Sequence, residues 1–559
     1  MTGASPSERL ATTDLEPFAG RWIAQTHNLS IAGTGETPEE ARRNAEARRN
    51  AHVVTSADDL ALSWVTPVAP HLIIPAWPFF AIRPLFPDGD IWLAGGAVRD
   101  LLLRRTPHDW DFVLAGSGTH LARRVANALG GDYYALDGER DTGRALVRDP
   151  ATGQVITLDF ATLRAATIMD DLRGRDFTVN AMALTPAGHL LDPTGGYDDL
   201  RARCLRATGP TAFRDDPIRL LRAVRLAQQL NSTLDPATAH AIRSEATALR
   251  SVASERIRSE LVALLSGEVT AQAIRRLSDL ALAQHVAPEI AFLEPAAIAR
   301  VVTVMEHLDR TIAVCTSPSV DRDPDTTCPW MADTLDSPDV VSALDRYLSA
   351  GVGAGTTRAV LMKCAALFCG SAQLRPAMQP DVAGPDQGRV AADVATKRME
   401  ALRFSRAEIA VVRRLLIGQD AFIALLNNDS ERPARAPSRR MMYRFFQVTD
   451  DDGIAAAMLS LARLAAEETA PTSTQPSTYG AMAGALIDAY LCRHAEIVAP
   501  TLLLSGSDAI ELGIPHGPAI GAALAHLREA QATGEVTSVA AARELLMEFT
   551  QAIDLESQG

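Results

Sequence analysis

Lysine is almost missing from this chain. Only Lys363 and Lys397 occur among 559 residues, so any basic surface is built from arginine. Cysteine is sparse and badly spaced for chemistry. Cys204, Cys315, Cys328, Cys364, Cys369 and Cys492 form no CxxC pair, which argues against a zinc site and a disulfide framework. No apolar run is long enough to span a bilayer. The N-terminus has no basic-then-apolar signal pattern, because Asp14 and Glu16 interrupt it. These absences point to a reducing cytoplasm and no membrane partner. Positive charge is also short, with a formal net charge of −14. A uniform attraction to nucleic acid is therefore excluded. A local patch is not, since phosphate contacts depend on where the cations sit.

Such a patch exists. Seven arginines fall between Arg201 and Arg225: Arg201, Arg203, Arg206, Arg214, Arg219, Arg222 and Arg225. The chain is long enough for several domains. Phe18 to Thr34 reads as two short strands, and Thr37-Pro38-Glu39-Glu40 as a helix start with Thr37 as cap. Between residues 90 and 200 short apolar strands alternate with helical patterns, as at Ile91–Ala94, Asp111–Leu114 and Val155–Phe160. Beyond residue 200 amphipathic helical patterns dominate. Four Pro- or Ser-rich stretches, 316–340, 371–388, 428–438 and 468–479, read as surface loops.

The chemistry concentrates in Gly95-Gly96-Ala97-Val98-Arg99-Asp100 followed by Asp109-Trp110-Asp111. Glycines after a strand let backbone N–H groups approach a phosphate, and the following helix aims its positive end there. Arg99 adds a mobile cation for the same triphosphate. Residues i and i+2 of a strand share a face, so Asp109 and Asp111 converge. Paired carboxylates suit Mg²⁺, which takes hard oxygen ligands and keeps substrate phosphates in its shell. Asp159, in Thr157-Leu158-Asp159-Phe160, is the natural third carboxylate for a two-metal clamp.

GGAVRDLLL…HDWDFV closely resembles the active-site signature of class II CCA-adding enzymes and bacterial poly(A) polymerases, within the DNA polymerase β-like nucleotidyltransferases. The resemblance continues in order through DLRGRDFTVNAMA (from Asp171), DPTGGYDDL (from Asp192), FRDDPIRLLRAVR (from Phe213) and ERIRSEL (from Glu255), and again over Leu503 to Leu546. It implies an α+β fold, with a palm-like head (a mixed sheet with helices) before an all-α neck, body and tail. The implied boundaries are a small accessory β-hairpin/helix extension at 1–88, the catalytic head at 89–210, the neck at 211–290, a degenerate HD-like body at 291–500 and the tail at 501–559. Gly95, Gly96 and Arg99 are implied at the triphosphate, Asp109 and Asp111 at Mg²⁺ (two ions), and Arg175, Asp176 and Asn180 at nucleotide phosphate or ribose. The implied activity is transfer of CMP or AMP from CTP or ATP to a tRNA 3′ end, releasing pyrophosphate. The alternatives are poly(A) synthesis on a looser RNA partner and, below it, non-catalytic RNA binding.

The segment at Phe213 resembles the family's base-selecting helix. Asp216 and Arg219 are three apart, which on a helix puts both on one face. A carboxylate acceptor beside a guanidinium donor can read a base's Watson–Crick edge. Arg222 and Arg225 continue the stripe toward triphosphate or stacked base. Two departures from the family matter. Gly174 stands where the family has the first of two arginines. The stretch before Asp171 is short, which is similar to the A-adding subgroup rather than to full CCA synthesis. In the body, Val360 to Gly370 resembles the metal helix of an HD phosphohydrolase, with Phe368 and Cys369 where a His-Asp pair belongs. No phosphatase activity is expected from it, and His307 reads as an ordinary helix-surface residue.

Overall fold

A computed structural model provides the structure. It describes residues 22–25, 31–49, 61–65, 73–80, 82–86, 91–150, 152–186, 188–291, 295–316, 337–353, 355–370, 387–427, 437–467 and 475–558. Most of the four expected loops lies outside the described residues, which resume in helix from Pro338, Gln387, Arg439 and Gln475. The chain packs as two compact units, residues 1–219 with 230–245, and residues 220–229 with 246–559.

The first unit opens with an antiparallel sheet ordered β2-β1-β3-β4, from β1 (Trp22–Gln25), β2 (Ile31–Gly35), β3 (Ala61–Val65) and β4 (Ile73–Pro75). Helix α1 (Pro38–Arg49) follows β2. Thr37 caps it as expected, its Oγ1 accepting from the Glu40 amide at 3.1 Å. The extension thus has two more strands than the hairpin and helix read from sequence. Nor is it merely an appendage. Phe79 is 2% exposed and stacks on Phe112 at 6.2 Å, and Phe112 stacks on Phe160 at 5.1 Å. Its last segment is therefore part of the next core.

That core belongs to a seven-stranded mixed sheet ordered β11-β10-β5-β6-β9-β8-β7. Its strands are β5 (Ile91–Ala94), β6 (Asp109–Leu114), β7 (Asp132–Asp137), β8 (Thr142–Arg148), β9 (Val155–Thr162), β10 (Ala183–Leu184) and β11 (Leu190–Leu191). Only β6 and β9 run parallel. Helix α2 (Gly96–Leu102) joins β5 to β6. Helix α3 (Gly118–Leu129) packs one apolar stripe, Leu121, Ala122, Val125 and Ala126, on β7, β8 and β9. It lies so close that a Cβ on Gly143 would come within 2.8 Å of Ala122. Helix α4 (Ile168–Arg173) covers the opposite face over the other half of the sheet, where Ile168 and Leu172 join Trp92, Ala94, Val113 and Ala183. Helices α5 (Gly196–Arg201) and α6 (Ala212–Asp215) follow, and α7 (Arg219–Gln229) begins at the last residue of the unit's first segment.

The second unit is almost wholly helical, and its main helices include α8 (Ser254–Leu265), α9 (Thr270–Asp279), α10 (Pro295–Thr316), α11 (Arg358–Ala366) and α12 (Arg406–Asn427). Buried charges are paired within it. Glu408 is fully buried and accepts from Arg258 at 2.7 Å and Thr356 at 2.6 Å. Asp452 receives Arg358 and Arg414. Lys363, one of the two lysines, is buried against Asp309 at 2.7 Å and the Gly267 carbonyl. Helix α11 is buried on all sides from Val360 to Ala366. Phe368 is 2% exposed and packs in the core. His307 is half-buried on α10 rather than on its surface, and burial lowers its pKa. The tail packs its own core around Leu504, Ile514, Ala523, Leu527 and Leu546.

Candidate active site

The turn after β5 depends on Gly95. Its φ is +74°, a conformation that side-chain-bearing residues rarely adopt. A Cβ there would also meet Arg175 Nη1 at 2.7 Å. Gly95 donates its amide to the Met182 carbonyl, and its carbonyl accepts from Arg99, so the turn is tied to both β10's approach and α2. Gly95→Ala is expected to cost about 1–2 kcal/mol of strain and to displace the Arg175 guanidinium. A thermal melt and nucleotide KM check this. An unchanged Tm with an unchanged KM would contradict it.

Arg99 is anchored rather than mobile. Its Nε donates to Asp100 at 2.9 Å and its Nη1 to Asn180 Oδ1 at 2.7 Å. Asn180 in turn donates to Asp176 at 3.2 Å, and the buried Asp176 also accepts from the Phe177 amide. Arg175 donates to Asp171 Oδ2 and to the Asn180 carbonyl. Gly95, Arg99, Arg175, Asp176 and Asn180 therefore form one connected network. Gly96 lies beside it, 3.5 Å from Arg99 Nη2 when given a Cβ.

The carboxylates lie on the next strands. Asp111 of β6 is in parallel register with Asp159 of β9. Burial pushes the Asp111 carboxyl up to about 6, with further contributions from Asp159 and Asp109 that Arg175 opposes. Asp159 is held by Arg144 of β8 in a bidentate pair, both bonds 2.8 Å. Sequence reading missed Arg144, because nothing local shows which strand it lies beside. It also missed Arg164, whose guanidinium is pushed below its usual range first by lost water and then by the nearby Arg175. Among the described residues no group of three His, Cys, Asp or Glu side chains is arranged to hold a metal. Asp109 and Asp111 still fit a divalent cation. Their oxygens are hard ligands, Asp109 is exposed, and Asp111 stays raised despite Arg175, so a cation there would favour its ionised form.

Asp216 and Arg219 do not share a helix face. Asp216 is extended (φ −153°, ψ 98°) and precedes α7, whose first residue is Arg219. Arg219 is 9% exposed and spends its fork on backbone. Nη1 donates to the Arg175 and Ala212 carbonyls at 3.2 and 3.1 Å, and Nη2 to the Gly174 carbonyl at 3.1 Å. It thereby fixes the segment that presents Arg175. In the second unit Arg222 and Arg225 both donate to Glu260 of α8, at 3.2 and 2.7 Å. That pairing gives the ERIRSEL stretch a structural role.

Residues 91–206 match the model for the poly A polymerase head domain, and residues 232–293 match that for the probable RNA and SrmB-binding site of polymerase A. A CC-adding tRNA nucleotidyltransferase of Geobacter sulfurreducens is 32% identical over 464 residues, 81% of this chain and 91% of that protein. An A-adding tRNA nucleotidyltransferase of Deinococcus radiodurans is 31% identical over 488 residues, 84% of this chain and 97% of that protein. Among solved structures, a CCA-adding enzyme in an apo form shares the fold, with a TM-score of 0.54 and 20% identity over 83% of this chain and 90% of that one.

Proposed function

Because this chain belongs to the tRNA nucleotidyltransferase family, we propose that it adds part of the CCA sequence to tRNA 3′ ends from CTP or ATP, without a nucleic-acid template. The single observation that carries the reading is the joined network of Gly95, Arg99, Arg175, Asp176 and Asn180 beside Asp111. Fixed cations lie next to a carboxylate that burial and its acidic neighbours still hold above its usual range. That arrangement takes a magnesium–nucleoside triphosphate at its phosphates.

Arg99 and Arg175 hold the triphosphate, and Asp176 with Asn180 orients the ribose end of the nucleotide. Asp109 and Asp111 hold Mg²⁺. The ion, when bound, would supply charge neutralisation for attack of an RNA 3′-OH on the α-phosphate as its bond to pyrophosphate breaks and pyrophosphate leaves. Asp159 is the candidate third carboxylate, each of its oxygens accepting one bond from Arg144. Its charge raises the Asp111 carboxyl, and Arg144 opposes that effect. Selection of the base rests on Asp216, since Arg219 has committed its donors to backbone.

Partial rather than complete CCA addition is supported by the two relatives that span more than four-fifths of this chain, one CC-adding and one A-adding. Only Leu163 to Thr167 separates β9 from α4. At 32% and 31% identity, likeness alone favours neither product. The experiment uses tRNA ending at the discriminator base, at C, or at CC, with Mg²⁺ and CTP, ATP or both. Growth that stops after CC, or a single A added only to the CC form, supports the reading. Long ATP-dependent tails on any RNA mean poly(A) synthesis, and no growth means RNA binding alone. Asp216→Ala is expected to admit wrong nucleotides, and unchanged choice in that variant would remove it from selection.

A further inference from the structure

The head sheet carries a second feature on the face that holds the aspartates. Register sets out a row across four strands, Asp111 opposite Asp159, Asp159 opposite Arg144, and Arg144 opposite Tyr134 of β7. Directly paired residues point to the same side of a sheet. The alternate row runs through Trp110, Leu158, Ala145 and Tyr133. That row faces α3. Trp110, Leu158 and Ala145 are buried there, and Arg123 of α3 lies over the Tyr133 ring at 4.8 Å. Tyr134 is consequently on the opposite face, the one with Asp111.

Among the described residues α4 covers that face over β5, β6 and β10. Over β8 and β7 its residues Tyr134 and Arg144 stay accessible among the described residues. Tyr134 is 52% exposed, and Arg144 keeps 35% of its side chain exposed. An edge strand ordinarily shows charge to solvent to prevent pairing. Here Asp132 does so, and Tyr134 adds an exposed aromatic ring on the same face. Three strand spacings, about 14 Å, separate β7 from β6.

We propose that Tyr134 is the stacking platform for an unpaired base upstream of the RNA 3′ end, holding the strand on this sheet face so that its terminus reaches Asp111. This inference rests on the proposed function, because the occupant is the RNA substrate of that site. The occupant follows from continuity with the carboxylate row. A strand whose 3′-OH sits at Asp111 has its preceding nucleotides at hand to cross β9 and β8 toward the edge. An aromatic ring accepts any base by its π face, which suits tRNAs that differ upstream of the end. Arg144 lies in the register row between platform and carboxylate, a half-exposed cation along the path of the connecting phosphate. Its pairing with Asp159 keeps it on that line.

The experiment measures steady-state KM for a tRNA transcript and for nucleotide separately. Tyr134→Ala is expected to raise the RNA KM about tenfold, leaving nucleotide KM and the rate at saturating RNA unchanged. Tyr134→Phe is expected to match the wild type. A set of transcripts, each with one abasic nucleotide near the 3′ end, supplies the second measurement. At one position the abasic penalty and the Tyr134→Ala penalty should fail to multiply, because both remove the same stack. An RNA KM that moves less than about twofold, or penalties that multiply at every position, overturns the proposal. Both results presuppose a wild type that extends RNA. A wild type that extends none refutes the proposed function instead.

Discussion

Asp111→Asn is expected to lower nucleotide incorporation by about a thousandfold or more while raising the Tm of the metal-free protein. The loss follows from removing a cation ligand at the reacting phosphate, an interaction worth several kcal/mol in the transition state. The gain follows from the carboxyl's environment. Its pKa is raised to about 6 by burial and by Asp159 and Asp109. A raised carboxylate pKa means that the folded protein binds the proton more tightly than the unfolded chain. The destabilisation is absent below the unfolded value near ~4 and complete above about 6. A shift of this size corresponds to on the order of 2–3 kcal/mol, a rise of several degrees in a protein of this length. The Tm difference between variant and wild type should be full near pH 7.5 and shrink toward pH 5. Mg²⁺ should raise the wild-type Tm and leave the variant's nearly unchanged. Scanning calorimetry with and without Mg²⁺ reads both effects. A variant less stable than the wild type at pH 7.5 without metal would mean that Asp111 is held by a favourable partner after all.

Arg219→Ala is expected to unfold the nucleotide network rather than to alter its base preference. The side chain is buried and supports three carbonyls. Removing it leaves those acceptors without their charged donor, at a cost of about 2–4 kcal/mol. Gly174 and Arg175 then lose their support, and kcat/KM should fall about a hundredfold equally for CTP and ATP. Arg219→Lys should recover little, because an ammonium cannot reproduce the planar fork. Asp216→Ala, by contrast, should change nucleotide choice. If Arg219→Ala keeps its Tm and changes only that choice, then the guanidinium reads the base and its backbone bonds are incidental.

The contrast between these residues shows how far the sequence could be read. The strand–glycine–helix unit at Gly95, the Asp109–Asp111 spacing and the strand bearing Asp159 were all legible, because each depends on local geometry and period. The helix assigned to Asp216 was not a matter of missing information. Pro217 follows it, and the residue before proline is driven to extended backbone, which is where Asp216 lies. Arg144, Glu260 and Phe79 were illegible for another reason. Arg144 meets Asp159 through β8–β9 pairing, Glu260 meets Arg222 and Arg225 from 35 to 38 positions away, and Phe79 joins a core built from strands that come later. Such partners are set by sheet order and helix packing, which no local pattern states. The body offers the same lesson. The burial of Phe368 follows from helix packing, which its local sequence does not state.

The most direct measurement compares wild type and Asp111→Asn side by side, with labelled ATP or CTP, Mg²⁺, and tRNA transcripts ending at the discriminator base, C or CC, the products resolved to single nucleotides. The wild type should extend one of these ends and stop at a fixed point within CCA, and the variant should leave all of them unextended. Equal extension by both proteins, or tails without a fixed stop, would contradict the account.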